Sequence, residues 1–180
     1  GIAADLLSQA EHDPRAAVFL ITTDAEFGKA VQAEMEVQMK QLPRYEIIKS
    51  SVGDYAKAFL CRDAAQCFDV VNKIAPEHLE IELPDPESYL PLVKNAGAIF
   101  VGKYTSEPLG DYMAGPNHTL PTSGTAAFSS PLGVYDFVKH SSVEIYTEEA
   151  FRKISRKVQL FAQAEGLGAH AHAMEVRDED

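Results

Sequence analysis

Apolar positions alternate along this chain between helical spacing and short continuous runs. Leu6, Leu7 and Ala10 share one stripe of residues 3–11, which predicts a helix ending before Pro14. Ala16–Thr22 (AAVFLIT) is a continuous apolar run, expected of a strand buried on both faces. Asp24, after Thr23, offers an N-cap for a long helix to about Gln41, which Pro43 closes. Tyr45–Lys49 and Lys57–Leu60 read as short strands. Asp63 caps a predicted helix carrying Phe68, Val70, Val71 and Ile74. Leu79–Leu83 reads as another strand, and Pro86 as an early helical residue before Tyr89, Leu90 and Val93. Gly97–Gly102 (GAIFVG) is a second wholly apolar strand.

Strands alternating with helices predict an α/β fold: a partial, Rossmann-like, mostly parallel sheet with flanking helices. After Gly102 the texture changes. Residues 103–131 are rich in Gly, Pro, Thr and Ser and predict a long stretch without regular structure, usually a functional one. Helical spacing returns through residues 147–164, followed by a polar tail. The boundary falls near residue 132. Residues 1–132 form the α/β domain and residues 133–180 a small helical arm. At roughly 48 residues the arm is too small to fold alone, so it should dock on something.

Net charge narrows the partners. Sixteen basic and 27 acidic residues among 180 give −11, a sign that repels phosphate backbones and argues against nucleic acid. No stretch approaches the roughly 20 apolar residues of a membrane helix. Gly1–Leu7 lacks the basic flank and apolar run of a signal peptide and the initiator Met, so a processed or excised cytoplasmic chain is expected. Cys61 and Cys67, with five residues between them, match no common zinc pair and read as thiols of a reducing compartment.

Six histidines occur, at 12, 78, 118, 140, 170 and 172, and taken singly each is more often a surface or core residue than a ligand. Four polar segments stand out. Gln9 and His12 lie three apart on a predicted helix and share a face. In Ala75–Glu80 (APEHLE), Glu77 sits beside His78, whose pKa suits a general base near neutrality. Leu109–His118 (LGDYMAGPNH) holds Asp111 and His118 in a Gly/Pro loop. Glu165, His170 and His172 lie at the end of the last helix (EGLGAHAH), as a metal pair or as a solvated tail. Gln9, His12, Asp111 and His170 together offer two nitrogens and two oxygens, a set that suits zinc.

Five segments, DLLSQAEHDP at 5–14, APEHLE at 75–80, NAGAIFVG at 95–102, GDYMAGPNHTLPTSGT at 110–125 and EGLGAH at 165–170, look like the signature blocks of histidinol dehydrogenase. They occur in that family's order across essentially the whole chain. The resemblance implies oxidation of L-histidinol to L-histidine through an aldehyde, in two NAD-dependent steps of histidine biosynthesis. It implies Gln9, His12, Asp111 and His170 as zinc ligands and Glu77 and His78 as the acid/base pair. His118 and Glu165 match substrate-contacting positions, Glu165 towards the amino group. It also implies a homodimer whose carboxy-terminal arms are exchanged between sites.

The family's enzymes are longer, and their NAD-contacting domain has no counterpart here: no G-x-G-x-x-G follows a predicted strand. The chain therefore reads as the carboxy-terminal part, expected to be inactive alone, with apolar sheet surface left to self-association or a compact rearrangement. The alternative is a non-catalytic zinc- and ligand-binding dimerisation module. A zinc hydrolase using Glu77 as base is the weakest reading, since no H-E-x-x-H helix is present.

Overall fold

The computed structural model describes residues 1–178. It resolves into two compact units, Gly1–Phe137 and the chain from Val138 onward. The first contains α1 (Ile2–Ala10), β1 (Phe19–Thr22), α2 (Ala25–Gln38), α3 (Tyr45–Tyr55), β2 (Lys57–Leu60), α4 (Ala64–Ile74), β3 (His78–Ile81), β4 (Ala98–Val101) and α5 (Glu107–Tyr112). The strands pair in parallel, as the α/β reading expects. They form two two-stranded sheets among the described residues rather than one: Phe19 of β1 faces Lys57 of β2, and His78 of β3 faces Ala98 of β4.

Two caps act as read from the sequence. The Asp24 carboxylate accepts from the Phe27 amide at 3.0 Å, and that of Asp63 from the Gln66 amide at 2.8 Å. The main core lies where α1, α2 and α3 meet the entry to β1. Ala3, Leu7, Ala10, Val18, Val31, Met35, Met39 and Ile48 are buried there. Ser51 is also fully buried, and its hydroxyl donates to the Ala16 carbonyl at 2.8 Å.

Three expectations are corrected. Tyr45–Lys49 is helix, the start of α3, because Tyr45, Ile48, Ser51 and Val52 turn one face to the core at helical spacing. The apolar runs are not buried on both faces: every residue of β1 is only half-buried, and Ile99 of β4 is 39% exposed. Residues 103–131 are not without regular structure, since they hold α5 and a 3-10 turn at Thr125–Ala127. Pro86–Leu92 is also a 3-10 turn, and its Tyr89 stacks on Phe68 of α4 at 5.6 Å between ring centroids.

The second unit contains α6 (Glu148–Ala164) and α7 (Gly168–Asp178), so the stretch read as a polar tail is largely helical. Thr147 caps α6 by accepting from the Ala150 amide at 3.2 Å. Gly166, at φ 76°, makes the turn between the helices. The Asp178 carboxylate then accepts from Ser155 at 2.6 Å and from Gln159 at 2.7 Å, joining the two helices. No helix among the described residues is long and apolar enough to cross a membrane.

Candidate functional site

The site is built where α4 turns into β3. Ala75 ends α4 in the left-handed region, at φ 49°, a conformation that costs a residue with a Cβ roughly 1–2 kcal/mol. That turn aims Pro76 and Glu77 along the edge of β4. Gly97 donates to the Pro76 carbonyl at 2.9 Å and Ala98 to the Glu77 carbonyl at 2.8 Å. A Cβ on Gly97 would lie 2.6 Å from the Glu77 carbonyl oxygen, so only glycine permits this approach.

His78 and Glu80 alternate onto one face of β3. Glu80 accepts from the Glu107 amide at 2.9 Å, which fixes the first turn of α5 against the strand. Glu107 and Asp111, four apart, then share a face of α5. The Oε1 of Glu107 lies 3.8 Å from the Nε2 of His78, with the two side chains only 8% and 17% exposed. One ring face of His78 is bounded by Phe100 of β4, at 5.9 Å between centroids.

Burial dominates the electrostatics. It pushes the Glu107 carboxyl up to about 7, helped by the neighbouring carboxyls of Asp111, Glu80 and Glu77. Glu77 is also raised, by burial first and then by Asp111, with His12 opposing. His78 is lowered by burial, and His12 acts in the same direction while Asp111 opposes. Glu80 is raised by burial, partly offset by its bond from the Glu107 amide. His12, Glu77, His78, Glu107 and Asp111 thus occupy one electrostatic neighbourhood.

A family model described as histidinol dehydrogenase matches residues 1–178. The chain belongs to the histidinol dehydrogenase family. It is 51% identical over 179 residues to a histidinol dehydrogenase of Listeria innocua, covering 99% of this chain and 42% of that protein. It is 50% identical over 179 residues to one of Aquifex aeolicus, with the same coverage. The crystal structure of histidinol dehydrogenase from Elizabethkingia anophelis superposes with a TM-score of 0.90 at 35% identity, over 99% of this chain and 41% of that one. The chain therefore spans about 42% of the length of the relatives it matches.

The residues expected of a histidinol dehydrogenase fall as follows. Gln9 is half-buried in the last turn of α1, and His12 is exposed just beyond it. The His12 carbonyl accepts from Arg44 at 3.5 Å. Glu77, His78 and Asp111 converge, whereas His118 is exposed in the irregular segment after α5. Glu165 and His170 are exposed and belong to the second unit.

Sequence reasoning missed Glu107. Its one signal was Ser-Glu-Pro at 106–108, a helix start with an early proline, and nothing in that pattern announces burial.

Ligand atoms of His78, Glu107 and Asp111 all lie within 4.8 Å of one another. One imidazole nitrogen and two carboxylate oxygens suit a borderline divalent ion such as the family's zinc. This group shares only Asp111 with the set expected from the sequence, and His12 contributes a second imidazole to the neighbourhood. The donor chemistry fits the metal.

Proposed function

We propose that this chain supplies the zinc ligands and the acid/base pair for oxidation of L-histidinol to L-histidine through histidinal, with two NAD, in cytoplasmic histidine biosynthesis. The observation that carries the reading is the grouping of Glu77, His78 and Asp111, within range of His12, in a chain of this family. Gln9, His12, Asp111 and His170 would hold the metal. Bound zinc would supply Lewis-acid binding of the substrate imidazole and amine, fixing the alcohol carbon.

The chain's own groups handle protons. Glu77 is raised, which brings a carboxylate nearer neutrality, and His78 is lowered, which keeps its imidazole neutral and able to accept a proton. His78 takes the proton of the substrate hydroxyl, and NAD, when bound, would supply the hydride acceptor. Glu77 then takes a proton from the water that adds to the aldehyde. His118 and Glu165 contact substrate, Glu165 towards its amino group. Residues 1–132 serve as the second half of a split domain. Residues 133–180 serve as an arm exchanged in a homodimer.

No residue of the chain is assigned to NAD, so for these 180 residues alone the proposal is binding without turnover. The test is zinc content by elemental mass spectrometry, then calorimetry with histidinol. About one zinc per chain and histidinol binding are expected, both lost in Asp111→Ala and His12→Ala. A chain that takes up no zinc and binds no histidinol overturns the reading.

A further inference from the structure

Among the described residues, one buried side-chain oxygen has no hydrogen-bond partner: Oε1 of Glu107. An orphan of this kind is destabilising, more so when charged, and calls for an explanation. We propose that Glu107 is a positioning residue that orients the imidazole of His78. The inference rests on the reading of His78 as an acid/base group.

Four observations support it. The Glu107 side chain is 8% exposed, so bulk water does not satisfy Oε1. Its backbone amide is held by Glu80, two residues along β3 from His78, so its distance from the ring is fixed at the backbone. The helix presses on Phe100 at Gly110, and the Phe100 ring in turn faces His78. At 3.8 Å, Oε1 and Nε2 are a small side-chain adjustment from hydrogen-bond distance. Asp111 is the competing partner. It offers oxygen, which helps Glu107 only through a shared proton, whereas a neutral imidazole offers an N–H.

The chemical consequence is a tautomer. An imidazole whose Nε2–H donates to Glu107 keeps Nδ1 as its accepting nitrogen. His78 then receives a proton at Nδ1.

The experiment is long-range proton–nitrogen NMR on the chain labelled with ¹⁵N-histidine, in chelator at about pH 8, where neutral imidazoles prevail. His78 is assigned by the signal lost in His78→Gln. A single Nε2–H tautomer is expected for the unaltered chain. Glu107→Ala should give mixed tautomers at His78 while the dispersed amide spectrum of the unaltered chain is retained, which reports an intact fold. Glu107→Gln should retain the single tautomer, because its amide oxygen still accepts.

An unchanged His78 spectrum in Glu107→Ala, or an Nδ1–H tautomer in the unaltered chain, overturns the inference. Histidinol binding by the zinc-loaded chain is measured separately. If binding persists with His78 indifferent to Glu107, the functional reading stands and this inference falls. If His78 responds but histidinol and zinc do not bind, the contact stands and the functional reading falls.

Discussion

A Cβ on Gly110 would lie 2.5 Å from Cε1 of Phe100. Two apolar surfaces therefore meet with no space for a methyl group, directly between the helix bearing Glu107 and Asp111 and the strand beside His78. The Phe100 ring is buried and faces His78, so it cannot swing aside freely. Gly110→Ala should destabilise the chain by about 1–3 kcal/mol, despite alanine's better helix propensity, as overpacking does. Urea unfolding checks this, and an unchanged or higher midpoint refutes it.

Gly97 is the stricter case. Its phantom Cβ meets a backbone carbonyl, that of Glu77, and the ring of Pro121. Neither can rotate away as a flexible side chain does. Gly97→Ala should push β4 off the Glu77 turn and cost about 3 kcal/mol, the upper part of the overpacking range. Its unfolding midpoint should fall below that of Gly110→Ala, and the reverse order would show that the turn is more yielding than its contacts imply.

Asn72 anchors the segment leading into β4. Its carbonyl oxygen accepts from the amides of Lys94 at 2.7 Å and Asn95 at 3.1 Å, and its amide donates to the Leu92 carbonyl at 2.9 Å. Asn72→Ala leaves these groups without their partner and should cost about 1–3 kcal/mol. Asn72→Asp keeps the acceptor and loses the donor, so its unfolding midpoint should fall between the other two. Hydrogen exchange at the Lys94 and Asn95 amides should quicken in the alanine variant only.

Acid should stabilise the metal-free chain through Glu107. Its folded value of about 7 lies above the ordinary 4.5, so the native state holds the proton more tightly than the unfolded chain. That contribution is complete below about pH 4.5 and is lost as pH rises through about 7. Glu77 and Glu80, also raised, act with the same sign. His78, lowered, opposes them: its contribution is present above about 6.5 and is lost as pH falls. The decisive quantity is thus a difference between variants. In chelator, the stability lost between about pH 5 and about pH 8 should shrink in Glu107→Gln. An identical loss in both proteins rules this out.

Much of the fold is legible in the residues. Asp24 and Asp63 announce their helices because a short carboxylate beside free amides is a local signal, needing no distant partner. Tyr45–Lys49 misleads because Tyr-Glu-Ile-Ile-Lys alternates well enough for a strand. What selects helix is the burial of Ile48 and Ser51 against elements far along the chain. Helix α5 is hidden by Pro108 and Gly110, residues that usually mark loops. Here the proline occupies the first turn and the glycine answers the Phe100 ring.

The sequence by itself determined the alternation of helices and parallel strands, the caps, and the residue types able to hold a metal or move a proton. Those are matters of local spacing and side-chain chemistry. Only the tertiary structure decided that Glu107 lies buried beside His78 and Asp111, with its pKa lifted to about 7. Burial and electrostatic coupling depend on which distant segments exclude water from a group, and Glu80, Gly97 and Phe100 set that only once β3, β4 and α5 have met.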